Sequence, residues 1–155
     1  MGVRRSFALI AIVVIAASNA VIAEAATGNT KFGGSTDQGR EAKLVADAQG
    51  RVVRGSFTVM TDCSGRFKPF RARVELHAPL DRSTQDGFRD RASTLDEDGE
   101  FSGRYRHEIE GEYTGVHRIK GTLTLTVVFR RNGEEYVTCE AVDLGFVVKE
   151  LERAR

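Results

Sequence analysis

From Val52 to Cys63 the chain alternates, with Phe57, Val59 and Cys63 on one side and Arg54, Ser56, Thr58 and Asp62 on the other. Arg71 to His77 repeats the pattern, setting Ala72, Val74 and Leu76 against Arg71, Arg73, Glu75 and His77. Between Thr122 and Arg130, Leu123, Leu125, Val127 and Phe129 alternate with Thr122, Thr124 and Thr126. A period of two puts successive side chains on opposite faces of a strand, whereas a helix brings together residues three and four apart. These windows therefore predict half-buried strands of antiparallel sheets. Asn132-Gly133, between Thr122–Arg130 and Glu135–Cys139, predicts a tight hairpin because both central residues of such a turn favour positive φ. Gln49-Gly50, Ser64-Gly65 and Asp98-Gly99 punctuate the chain elsewhere. The polar stretch Asp81–Asp90 reads as the main loop, with Phe88 tucked back onto the core. Residues 26–30 and Lys149–Arg155 read as frayed ends, the latter alternatively as a short helix.

Eight or nine short strands follow, near 31–36, 40–47, 51–62, 67–77, 91–96, 100–108, 109–114, 119–130 and 135–148. Short strands at regular spacing with glycine turns indicate an all-β antiparallel sandwich, with a small barrel as the alternative. The last span is too long for one regular strand. Val137, Cys139 and Ala141 share one parity, and Leu144, Phe146 and Val148 share the other. One extra residue flips the face, so a bulge near Val142–Asp143 would turn both sets inward.

Ahead of this pattern lies a segment of another kind. Arg4 and Arg5 precede an uncharged apolar run from Phe7 through Ala17, and Val21-Ile22-Ala23 or Ala23-Glu24-Ala25 suits a signal peptidase. That order is a secretory signal peptide, assigned to residues 1–25, with residues 26–155 as a single domain. The run is short for a bilayer span, and an uncleaved anchor is the rival reading. Arg4-Arg5-Ser6-Phe7 also fits a twin-arginine signal, but an ordinary two-arginine start is preferred because no cofactor motif follows.

Taking Arg4, Arg5 and Glu24 from the 23 basic and 22 acidic residues leaves 21 of each. A neutral domain has no long-range field to recruit nucleic acid or an anionic membrane. Cys63 and Cys139 are the only cysteines. In an exported chain an even count reads as a bridge. Each thiol shares a parity with core residues, so both are expected to point inward and form a disulfide.

The order of motifs resembles a group of small secreted β-domains of high-GC Gram-positive bacteria. The residues concerned are Thr36-Asp37-Gln38-Gly39, Cys63-Ser64-Gly65, Gly99-Glu100-Phe101-Ser102, Ile109-Glu110-Gly111-Glu112-Tyr113, Ile119-Lys120-Gly121-Thr122-Leu123 and Cys139. The resemblance spans about residues 31–148 and implies a fold and an address without an activity. Val142 and Phe146 stand where the group carries Gly and Trp, which leaves the turn after Cys139 open.

Candidate chemistry is sparse. Nucleophilic catalysis needs an activated Ser, Cys or Thr beside an oriented base. His77, His107 and His117 lie in no such motif, so no catalytic residue is assigned. Asp96-Glu97-Asp98-Gly99-Glu100 clusters oxygen ligands without the full spacing of a calcium loop. On a strand, His107 points away from Glu108, Glu110 and Glu112, so no metal or other cofactor is assigned either. Arg66, Phe67, Lys68, Phe70, Arg71 and Arg73 mix basic and aromatic side chains, and form the candidate ligand surface or else a protected strand edge. The expectation is an exported non-catalytic binding or structural module, with an envelope glycan or protein as its partner class. The alternatives are a small enzyme with a scattered site and a carrier of a small apolar ligand.

Overall fold

The computed structural model describes residues 28–151. The assigned signal segment, its cut between Glu24 and Thr27, and residues 152–155 lie outside the described residues.

The described chain is all β: β1 (Thr30–Thr36), β2 (Glu41–Ala46), β3 (Val52–Cys63), β4 (Phe70–His77), β5 (Arg82–Ser83), β6 (Gly87–Asp98), β7 (Phe101–Tyr113), β8 (Arg118–Arg131) and β9 (Glu134–Glu150). All nine join one sheet in the order β4-β3-β2-β1-β9-β8-β7-β6-β5, and every pairing is antiparallel. Laid flat, β4 and β5 would stand roughly 38 Å apart at ~4.8 Å per strand. The link between them, residues 78–81, reaches at most roughly 18 Å. The sheet must therefore roll over, and the two layers of the expected sandwich are its two halves.

Side-chain contacts record the roll. Phe57 on β3 meets Phe146 on β9 with ring centroids 4.9 Å apart, and Phe70 on β4 meets Phe129 on β8 at 5.8 Å. The Ser83 hydroxyl donates to the Val52 carbonyl at 2.7 Å, and the Tyr113 hydroxyl donates to the Gly50 carbonyl at 2.8 Å. The enclosed core holds the inward residues of the alternating windows, among them Phe57, Val59, Ala72, Val74, Leu76, Leu123, Leu125 and Val127. Glycine lets the sheet bend. Gly111 and Gly121 lie directly opposite each other on β7 and β8, with Phe88 over the first and Phe146 over the second. A Cβ at Gly121 would sit 2.0 Å from the Glu110 carbonyl oxygen, so any side chain there would push the two strands apart.

β9 changes neighbour along its length. Phe146–Glu150 pair with β1, whereas Cys139 and Glu140 pair with Cys63 and Asp62 of β3. The β1–β2 hairpin wedges into this fork, and its tip is the Thr36-Asp37-Gln38-Gly39 motif. The Gln38 amide donates to the Met60 carbonyl and accepts from the Met60 N–H, both at 2.8 Å, standing in for a strand neighbour. On the other side, the Asp37 N–H donates to the Gly145 carbonyl at 2.8 Å, and the Gly145 N–H donates to the Asp37 carboxylate at 3.0 Å. Past the tip, Cys63 and Cys139 form the expected disulfide, with Cα atoms 3.9 Å apart. This is closer than the roughly 4.4–6.8 Å usual for bridges. The two cysteines are direct partners across the β3–β9 ladder.

Several expectations hold. Asn132 and Gly133 have φ of 51° and 83° and join β8 to β9. Thr124 faces both Val142 and Asp143, since Leu123 pairs with Leu144 and Leu125 with Ala141. This is the bulge that turns Ala141 and Leu144 both inward. Phe88 is buried as expected. Others need correction. Asp81–Asp90 is not one loop but contains β5 and the start of β6, because Gly87–Asp90 pair with Ile109–Glu112. The spans 100–108 and 109–114 are one continuous strand, β7. Lys149 and Glu150 belong to β9, held by Phe32 and Gly33, and are neither frayed nor helical.

Candidate functional site

At the disulfide end the two halves of the sheet diverge and leave an open, largely apolar cleft of about 330 Å³. One wall is the β3–β4 loop and the first residue of β4, carrying Phe67, Lys68 and Phe70. The facing wall is the far part of the β6–β7 hairpin, with Asp96, Asp98, Phe101 and Tyr105. Phe129, Val137 and the Cys63–Cys139 bridge lie between them, and Tyr136 stands at the rim.

Local sequence explains the shape. The β3–β4 loop turns at Gly65, where φ is 70°. Tyr136 sits at a second irregularity in β9, since Phe129 pairs with Val137 but Arg130 with Glu135. Its ring meets Phe67 edge-on at 5.0 Å. Both rings stay exposed, Phe67 at 42% and Tyr136 at 51%. Phe129 packs between Phe70 and Tyr105. Gly103 lies on the inward face of β7, and a Cβ there would come within 3.2 Å of the Tyr105 ring and 3.3 Å of Phe129. Burial, and to a lesser degree Asp96, raises the Tyr105 pKa.

The six residues singled out from sequence divide. Phe67, Lys68 and Phe70 line the cleft. Arg66 is exposed in the β3–β4 loop beside it. Arg71 and Arg73 lie on the outer face of β4, where Arg73 pairs with Glu75 at 3.0 Å, and neither lines the cleft. Phe101, Tyr105, Phe129 and Tyr136 complete the lining from three strands far along the chain. The signal that could have found them is Gly103 between Phe101 and Tyr105, since a glycine inside a strand marks a close approach.

The histidines fall elsewhere. His107 Nε2 lies 3.0 Å from Asp90 Oδ2 on the inner face of β6 and β7, with side chains only 14% and 12% exposed. This pair lines neither the aromatic cleft nor the larger groove whose lining includes Asp37, Arg89, Glu110 and Lys120. His117 meets Glu150, and His77 lies 3.4 Å from Glu75, both on the surface. Glu108 bonds Arg91 and Arg89, which hold its carboxyl below the usual range, and Glu112 bonds Lys120 at 3.1 Å. Among the described residues no group of three or more His, Cys, Asp or Glu is placed to hold a metal. No described helix is long and apolar enough to cross a membrane.

Comparison with protein-family models, with curated proteins and with solved structures finds no match.

Proposed function

We propose that the domain is a non-catalytic extracytoplasmic binding module whose aromatic cleft takes a small molecule with an apolar, ring-bearing body. One observation carries this reading: six aromatic side chains from four parts of the chain converge on one open cavity of about 330 Å³. That volume lies within the range of small-molecule sites, which are concave, mostly apolar and rimmed by a few polar groups. Lys68, Asp96 and Asp98 supply the polar rim. A glycan platform is less well supported, because Phe67 and Tyr136 meet at 69° rather than side by side. Tyr105 and Tyr113 are half-buried. The His107–Asp90 pair is the one feature that favours an enzyme. It lines neither cavity, and Asp90 is the sole hydrogen-bond partner of the His107 side chain among the described residues, so no nucleophile is hydrogen-bonded to the imidazole.

The test is titration with a neutral fluorophore, N-phenyl-1-naphthylamine. Saturable 1:1 binding is expected. Phe67→Ala and Tyr136→Ala should each weaken it about tenfold, the equivalent of ~1.4 kcal/mol. Thr122→Ala, on the outer face of β8, should leave it unchanged. Non-saturable uptake, or equal affinity in all variants, would refute the site.

The disulfide is compatible with an extracytoplasmic address, and the charge-free Phe7–Ala17 run supports export. N-terminal sequencing of protein recovered from the native envelope or medium is expected to begin between Glu24 and Thr27. A sequence starting at Met1 or Gly2 would indicate an uncleaved anchor.

A further inference from the structure

The disulfide is part of the cleft wall as well as a staple. Cys63 and Cys139 both line the cavity; Cys139 is fully buried, whereas Cys63 is partly exposed. Direct pairing between β3 and β9 covers only two residue pairs, Asp62 with Glu140 and Cys63 with Cys139. Just beyond, the Ser64 N–H donates to the Thr138 carbonyl at 2.8 Å, and the Thr138 N–H donates to the Ser64 hydroxyl at 3.1 Å. On the other side of the junction, the hairpin tip with Asp37 and Gln38 already separates the two strands. The wall carrying Phe67 and Lys68 leaves β3 at the residue after Cys63 and rejoins the sheet at Phe70. Besides the bridge and the two-pair ladder, the hydrogen bonds and ring contacts between that wall and β9 among the described residues are the Ser64–Thr138 pair and the edge contact of Phe67 with Tyr136.

We propose that the Cys63–Cys139 bridge is a redox latch on the aromatic cleft: closed, it holds the wall in place for the ligand, and opened by a thiol reductant it lets the wall swing away and the ligand leave. The proposal rests on the cleft being the ligand site. A thiolate of the reductant attacks Cys63 Sγ, the sulfur on the partly exposed side. A mixed disulfide forms there as the protein S–S bond breaks, and the electron pair departs on Cys139 Sγ, which takes up a proton. A second thiol of the reductant then displaces Cys63 as a thiol. The net change is one protein disulfide reduced to two thiols and one dithiol oxidised to a disulfide. Closure is the reverse.

Because coupling between two equilibria is reciprocal, a ligand that prefers the latched form must stabilise the bridge by the same factor. Two readings of one number are therefore available in the parent protein. N-phenyl-1-naphthylamine is titrated into oxidised protein and into protein held reduced by dithiothreitol, with the strand signal in circular dichroism followed throughout. The Kd is expected to rise at least tenfold on reduction while the sheet persists. The dithiothreitol ratio that half-reduces the protein is expected to move by the same factor at saturating fluorophore. An unchanged Kd in reduced, folded protein overturns the latch. Loss of the whole strand signal on reduction overturns it too, because then no folded open state exists.

Hydrogen exchange separates this from failure of the ligand reading, since it needs no ligand. The amides of Ser64 and Thr138, which are hydrogen-bonded across the junction, should exchange at least tenfold faster after reduction while those of β7 and β8 do not change. Unchanged exchange at Ser64 and Thr138 refutes the latch even if the fluorophore binds. Failure of the fluorophore to bind oxidised protein refutes the ligand reading alone.

Discussion

Replacing Cys63 and Cys139 together by Ala is expected to lower the unfolding free energy by about 4.5 kcal/mol. The bridge joins residues 76 apart in sequence. Closing a loop of that size removes roughly 15 cal/mol/K of entropy from the unfolded chain, which gives this figure at room temperature as an upper value. The folded state adds its own reason, since the bridge lies where β3 and β9 meet past the wedge of the β1–β2 hairpin. Small domains are stable by only about 5–15 kcal/mol in all. Denaturant unfolding of oxidised parent and double variant, both as monomers, measures the difference. Both cysteines must go, because a single substitution leaves one unpaired thiol that can bond to another chain. A loss below about 1 kcal/mol would mean that the short ladder and the hairpin tip hold the junction unaided.

Leu125→Ala is expected to cost roughly 2–5 kcal/mol, the usual range when a buried leucine leaves a cavity behind. Leu125 is 3% exposed and lies between His107 of β7 and Ala141 of β9 in the ladder. A small residue on one side and a paired imidazole on the other give the hole little to collapse into. Thr124→Ala, one residue away on the outer face, should cost only about 1 kcal/mol. Its hydroxyl accepts from the Asp143 N–H at 3.1 Å, and a hydrogen bond of that kind contributes about that much. Equal losses at the two positions, measured by thermal or denaturant unfolding, would mean the inward face has been misassigned. Phe129 shares the parity of Leu125 but is half-buried and lines the cleft, so its truncation should weaken fluorophore binding more than it weakens the fold.

What the alternation could reveal follows from what alternation encodes. Period two reports which face of a strand is dry, so the inward residues of β3, β4 and β8 were legible, as were the bulge at Val142–Asp143 and the inward cysteines. It does not report where a strand meets its neighbour. β5 has two residues, and its Arg82 and Ser83 carry no apolar signal. The start of β6, Gly87–Asp90, mixes glycine and charge with its one apolar residue and so reads as loop, whereas its exposed continuation near 91–96 reads as strand. Of the candidate site, the part contiguous in sequence was visible as Phe67, Lys68 and Phe70. The other wall depends on the roll of the sheet, which brings Phe101 and Tyr105 opposite residues more than thirty positions earlier. The Thr36-Asp37-Gln38-Gly39 motif was visible as a string, but its work became clear only in place. Its side chains complete the ladders of two strands that the hairpin holds apart.

The pairing of β1 with the last turns of β9 has a consequence for how the molecule presents itself. Phe32 lies opposite Glu150, so the two ends of the described chain emerge side by side. The cleft is at the other end of β9, beside Cys139, separated from Glu150 by roughly 35 Å of strand at ~3.3 Å per residue. Anything fastened to either end, whether a surface, a resin or a fused partner, would hold the domain by its foot with the cleft facing outward into solution.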